Sequence, residues 1–293
     1  MTVPPEKRPT RGARLKVWVP KQYGAWAMML APIVGGSIRA GFTWRHAVLL
    51  VTWIAAYLGY MAVRGWFRSR RRACSSLRSS TPSLGSGVRA SSYSARPASA
   101  YIPPVLTFAV VTLAGVVTLL VWRPALVWWG VPLAVLTGAS ALLVATGRER
   151  TVANDALLMA ASGLMAVVAA TMGELGTGPG WAGFAAGAFV PSAWLVGLIF
   201  TVYFWGTIFY VKTMIRERGK PEWYVASVAY HTLAGVAAIV AGIPLGIVGV
   251  VAAARAAVVP RAWPKAKPQW IGVGEIVLTI ALLVVVCVPI PGV

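Results

Sequence analysis

The sequence predicts an all-α membrane protein, a polytopic bundle of about nine transmembrane helices with a cytoplasmic N-terminus. Three observations carry that expectation. Hydrophobic residues fill 58% of the 293 positions and charged residues only 12%, too little polar surface to cover a soluble fold. The apolar residues fall in runs long enough to cross about 30 Å of hydrocarbon. Lys and Arg, 27 against 7 Asp and Glu, gather in every second connection between those runs, as positive-inside topology requires.

The elements follow in chain order. Residues 1–22 form a basic, proline-containing tail without the apolar stretch of a cleavable signal. Within the bundle, 23–289, the first two spans run over 23–38 and 46–64. A cytoplasmic loop over 66–102 comes next. Its stretch 68–100 holds 11 Ser, 7 Arg and no acidic residue. That composition has too little apolar area to offset the entropy of ordering, so the loop is expected to lack fixed structure. An Arg/Ser/Ala-rich stretch with abrupt edges is also what a GC-rich coding region yields out of frame, and resequencing codons 68–100 separates the two readings. Spans follow at 104–121, 125–146 and 155–172. The sixth segment, 181–211, is too long for one span and contains Pro191. An interior proline removes a helix hydrogen bond, which predicts a broken lead-in over 181–190 and a main span over 191–211. Spans at 223–241, 244–259 and 270–289 complete the set, leaving a short outer tail at 290–293.

Charge fixes the expected orientation. The tail and the even-numbered connections hold 24 basic residues, and the outer connections hold only Arg39, Arg45 and Arg123. The N-terminus is therefore expected inside and the C-terminus outside the cell membrane. Trp44, Trp122, Trp128, Trp223 and Trp270 sit near span ends, as an interfacial belt would. The expected partner is the lipid bilayer. Topogenic charge explains the basic excess without nucleic acid. Cys74 and Cys287 fall on opposite sides of the membrane, which implies no disulfide.

Candidate ligand-binding residues cluster toward the cytoplasmic side. Lys21 and Trp26 stand at the mouth of span one. Tyr203, Thr207 and Tyr210 form an i, i+4, i+7 stripe on span six that runs into Lys212 and Arg216. Tyr230 and His231 lie on span seven, with His231 four residues from Ser227. Asp155 opens span five and Glu275 lies inside span nine. By a rise of about 1.5 Å per residue, His231 is roughly 12 Å and Glu275 roughly 8 Å in from the flanking tryptophans. Each has a structural reading as well. Asp155 can cap a helix, the tyrosines can join helices, His231 can be a satisfied core histidine, and Lys21 and 212–220 can be topogenic charge. Glu275 demands more, because a carboxylate within a span costs a few kcal/mol without a partner. An inward-reaching Arg or His231 could serve. Glu275, His231 and the Tyr210–Arg216 region are expected to line one cavity open to the cytoplasm. No catalytic residue, metal ligand set or cofactor motif is identified: there is no Walker loop, no Gly-x-Ser-x-Gly and no His-Glu-x-x-His.

A resemblance adds to this. The run Pro20-Lys21-Gln22-Tyr23-Gly24-Ala25-Trp26, Arg148-Glu149-Arg150 with Asn154-Asp155, the stretch 204–219, Tyr230-His231 and Pro268–Gly272 with Glu275 resemble the YwiC-like family of bacterial membrane proteins. Tyr23 stands where that family has His, so no role of that His transfers here. The family name implies a place in the membrane more than an activity. The nine-span, N-inside layout is also similar to UbiA-type prenyltransferases. Those hold a prenyl diphosphate through Mg²⁺ on Asp-rich motifs in the second and sixth connections. Here the second connection has no acid, and the sixth has only Glu217 and Glu222. The expected function is binding of a small or amphipathic ligand, anionic or lipid-like. The alternatives are a UbiA-like prenyl or lipid transferase working through basic residues, and a structural membrane subunit.

Overall fold

The computed structural model describes residues 17–19, 23–78, 97–173 and 180–287. Among these, the ordered elements are helices: α1 Tyr23–Arg39, α2 Trp44–Arg78, α3 Ile102–Trp122, α4 Val127–Ala145, α5 Val152–Ala170, α6 Gly180–Ala188, α7 Pro191–Val211, α8 Pro221–Ala241, α9 Ile243–Ala262 and α10 Pro268–Cys287. Eight are long and apolar enough to cross a membrane. The remaining two are α1, with 17 residues, and the nine-residue α6. The protein is an all-α multi-pass membrane protein.

Proline sets several helix starts. Pro191, Pro221 and Pro268 each open a helix, where the missing N–H has no intrahelical partner anyway. The sixth segment divides as its proline dictates, α6 ending at Ala188 and α7 beginning at Pro191. Helices α8 and α10 begin two residues before their apolar runs, because the first turn is polar and proline-led.

Helices α1, α5 and α7 form the centre, and small residues let them approach. Gly36 of α1 lies against the Ala166 backbone of α5, and a Cβ on Gly197 of α7 would sit 2.6 Å from the Gly163 carbonyl oxygen. Such contacts drive helix association in lipid, where burial of apolar area gives no preference between protein and solvent. Helices α8 and α9 form a hairpin through Gly242, whose φ of +147° excludes most side chains. One apolar core gathers Ile33, Met165, Val167 and Trp129, and a second gathers Phe200, Phe204, Val196 and Val286. Leu106, Val110, Leu113, Val117 and Val121 of α3 point outward, the lipid-facing stripe of a peripheral span.

The loop expected over 66–102 is shorter in the structure. Helix α2 continues to Arg78, and a 3₁₀ turn over Ala98–Tyr101 leads into α3 at Ile102. Residues 79–96 lie outside the described residues. The extension of α2 holds because its arginines have an acid to bind. Arg64 Nε is 3.2 Å from Glu149 Oε2, and Arg68 Nε is 3.1 Å from Oε1. Arg71 Nη2 is 3.9 Å from the same carboxylate and donates to the carbonyls of Val144 and Ala145. The spacing 64, 68, 71 puts all three on one helix face.

Candidate functional site

The basic end of the bundle is where α2 and α7 finish and α1, α5 and α10 begin. Between those helices and α4 lies a cavity of about 580 Å³. Arg64, Arg216 and Gln269 are among its walls at that end, and Thr207, Ser162 and Glu275 are among the walls deeper in. Glu275 lies seven residues along α10 from Pro268, roughly 10 Å by helical rise. Most of the wall is apolar: Met28, Met29, Trp53, Leu158, Met159 and Ile208.

Polar side chains on the wall are tied to one another by local geometry. Thr151 caps α5, its hydroxyl accepting from the Asn154 N–H at 3.3 Å. That leaves Asp155 free of the capping role. Its carboxylate meets Lys212 Nζ at 3.2 Å instead. Asn154 is buried and donates to the Glu149 carbonyl at 3.2 Å. Its Oδ1 accepts from Ser140 at 2.6 Å, and the Ser140 hydroxyl lies 2.8 Å from that of Tyr60. Since Ser140 gives its proton to Asn154, Tyr60 is the donor of the second bond. The 146–155 connection is therefore fixed to α2, α4 and α7 together.

At the end of α7 the helix widens into a π turn over Lys212–Arg216, closed by the Glu217 N–H on the Lys212 carbonyl at 2.7 Å. Lys212 is buried beside Trp223, with Nζ 5.1 Å from the ring centre. Thr213 donates to the Trp223 carbonyl at 3.0 Å and so ties the turn to α8.

Glu275 has a full set of donors. Thr207 donates to Oε2 at 2.8 Å, Tyr203 approaches the same oxygen at 3.5 Å, and Arg255 of α9 pairs with Oε1. The carboxylate side chain is 3% exposed and that of Arg255 12%, so this is a buried pair inside a span. Arg255 also stacks over the Tyr210 ring at 4.1 Å. Two of its nitrogens, Nε and Nη2, are buried without a hydrogen-bond partner among the described residues.

The sequence candidates separate on this geometry. Asp155, Thr207, Lys212, Arg216 and Glu275 line the cavity. Tyr203 is not on the wall but approaches Glu275, which is. Tyr210 is buried beneath Arg255, away from the cavity wall. His231 bonds the Ser227 carbonyl at 2.7 Å and packs on Gly206, where a Cβ would lie 2.8 Å from its Nε2. The hydroxyl of Tyr230 bonds the Val202 carbonyl at 2.9 Å. Both residues join α8 to α7 rather than line the cavity. Trp26 packs edge-on against Tyr57, ring centres 5.6 Å apart. Lys21 lies outside the described residues.

Several cavity residues escaped the sequence reading. Tyr57, Tyr60 and Arg64 continue a stripe from Trp53 at 4-, 3- and 4-residue steps. That periodicity was available. The lone acid between Glu6 and Asp155 was also available as their counter-charge: it is Glu149. Arg255, inside the 244–259 span, is the inward-reaching arginine that Glu275 demands. No group of three or more His, Cys, Asp or Glu that could hold a metal occurs among the described residues.

Burial works to raise the pKa of Glu149, but the Arg68 and Arg64 hydrogen bonds and charges outweigh it and hold the carboxyl below its ordinary 4.5. A depressed carboxylate pKa stabilises the fold above the ordinary value, and the contribution is lost as pH falls through the lowered one. The unfolding temperature in detergent should therefore drop on acidification below pH 4.5. Glu149→Gln should lower it at neutral pH and flatten that acid-side fall. Parallel pH profiles of the two proteins would contradict the assignment.

The comparisons place the chain among bacterial proteins. The family described as "YwiC-like protein" matches residues 19–170, which include α1 to α5 and the cavity residues Arg64, Glu149, Asn154 and Asp155. The "Uncharacterized protein YwiC" of Bacillus subtilis (strain 168) is 27% identical over 221 residues, 75% of this chain and 76% of that relative. An "Uncharacterized protein" of Haemophilus influenzae (strain ATCC 51907 / DSM 11121 / KW20 / Rd) is 25% identical over 225 residues, again 75% and 76% of the two chains. No solved structure matches. Because the family match spans more than half of the sequence, the chain belongs to the YwiC-like family.

Proposed function

We propose that this protein binds an amphipathic, anionic-headed molecule in the cavity at the basic end of the bundle, with that end facing the cytoplasm. The observation that carries the reading is the division of one wall into two chemistries. Arg64, Lys212 and Arg216 stand toward the basic end, and a methionine-rich apolar surface of Met28, Met29 and Met159 continues inward. A charged head at the interface and a tail in the bundle satisfy both. The cavity volume of about 580 Å³ falls in the range of about 300–1,000 Å³ usual for small-ligand sites.

Native mass spectrometry of the detergent-purified protein tests the reading. A lipid-sized adduct should accompany the wild type and be depleted in a Lys212→Ala/Arg216→Ala variant. Bare protein in both, from mild detergent, would count against it.

Orientation is tested separately by reporters fused after Val293. Phosphatase activity without green fluorescence is expected for an outer C-terminus. Fluorescence without phosphatase activity would place the basic end outside.

A further inference from the structure

We propose that Asp155 is an internal substitute for the ligand's anion, holding the Lys212 ammonium until ligand binds and then giving it up to an oxyanion head. The inference rests on the ligand-site reading of the cavity and adds the chemical class of the head.

Hydrogen-bonding inventory points to that class. Three acceptor side chains on the cavity wall are occupied. Glu275 faces Thr207, Tyr203 and Arg255. Glu149 faces Arg64, Arg68 and Arg71. Asn154 Oδ1 is held by Ser140. The spare capacity is of the opposite kind. The Tyr57 hydroxyl is buried without a partner, and Arg216 has no ion-pair partner among the described residues. A buried hydroxyl left unpaired costs about 1–3 kcal/mol; it can donate or accept, and to an ionised oxygen it donates. Gln269, exposed toward the basic end, offers both kinds and decides nothing. A wall with donors to spare selects a head rich in acceptors, of phosphate or carboxylate type. Ammonium and zwitterionic heads present a cation to this wall, which is disfavoured.

Asp155 and Glu149 differ as competitors for that head. Glu149 is gripped by three guanidinium groups and 8% exposed. It is a fixed part of the scaffold, and Arg64 stays with it. Asp155 has one cationic partner among the described residues, Lys212, and its side chain is 22% exposed. Lys212 is 7% exposed, so its charge requires an anion at all times. Exchange of Asp155 for a ligand oxyanion keeps that requirement met. Arg216, on the same turn and the same cavity wall, adds a second positive charge.

The exchange predicts opposite signs for the two halves of one ion pair. Full-length protein is titrated with dodecyl phosphate, with dodecyltrimethylammonium as the cationic counterpart and inorganic phosphate as the tail-free probe. Asp155→Asn should bind dodecyl phosphate tighter, by up to about fivefold for loss of a partly exposed competing pair. Lys212→Gln should weaken it about tenfold or more, Lys212→Arg should restore it, and Tyr57→Phe should weaken it severalfold. Should Lys212→Gln not fold, the sign of Asp155→Asn carries the test alone. Inorganic phosphate that displaces dodecyl phosphate identifies a free oxyanion as the ligand source, and failure to displace it identifies a lipid headgroup. Either supports the exchange. Unchanged or weaker binding by Asp155→Asn overturns it. Equal binding of both amphiphiles overturns it while leaving the ligand site standing, and binding of neither removes the site as well.

Discussion

Glu275→Leu should be among the most damaging single substitutions in this protein. It leaves the Arg255 guanidinium, 12% exposed and already short of partners at Nε and Nη2, without its carboxylate. Removing one member of a buried pair costs about 3–5 kcal/mol, because the remaining charge is buried uncompensated. In a membrane span the alternatives for that charge are worse than in water. Glu275→Gln should be milder, since an amide oxygen still accepts from Thr207. The double variant Glu275→Leu/Arg255→Leu should recover much of the loss, because a buried ion pair replaced by apolar side chains is often neutral or better. Thermal unfolding in detergent across the three variants reads this out. A double variant no more stable than Glu275→Leu alone would mean that Glu275 acts through Thr207 and Tyr203 rather than through Arg255.

Gly36→Val should be nearly as severe, for a steric reason. A Cβ on Gly36 would lie 2.7 Å from Ala166 Cα, and the atoms it meets are backbone, which cannot rotate away. Overpacking costs about 1–3 kcal/mol where side chains can shift, and here α1 must move off α5 as a whole. Helix α1 also carries Gly24, Met28 and Met29 of the cavity wall. The same substitution should therefore loosen ligand retention. Gly138 of α4 is the control. No described residue lies within 4 Å of a Cβ there, and Gly138→Ala should be neutral or stabilising by about 0.5–1 kcal/mol through helix propensity. Loss of stability by Gly138→Ala comparable to that by Gly36→Val would contradict the packing account.

The spans were legible because lipid imposes a simple rule, a run of about 20 apolar residues per crossing. Pro191 announced the α6–α7 break for the same reason. The extension of α2 to Arg78 was not legible from composition. Polar helices that leave the membrane look like loops when residues are counted, and only the 64, 68, 71 spacing against Glu149 distinguishes them. In the site, Glu275 was legible from desolvation cost alone. Its partner was within reach too: Arg255 lies inside α9, and the five-residue 263–267 connection makes α9 and α10 antiparallel neighbours. Asp155 looked like a cap because carboxylates at helix starts usually are, yet Thr151 caps α5 and frees it for Lys212. Tyr210, Tyr230 and His231 showed the limit of depth arguments. Helical rise gives the level of a residue in the membrane, and facing depends on which helices pack around it.

Accessibility of Leu158 tests the central claim most directly. Leu158 lines the cavity from α5, and the only two native thiols are Cys74 and Cys287. Leu158→Cys is placed in a Cys74→Ser/Cys287→Ser background and treated with membrane-impermeant thiosulfonates of opposite charge, in inside-out and right-side-out vesicles. A cavity at a basic cytoplasmic end predicts labelling in inside-out vesicles only, faster with the sulfonate reagent than with the trimethylammonium reagent, and slowed by dodecyl phosphate. Labelling from the outer side alone, or faster reaction with the cationic reagent, would contradict it.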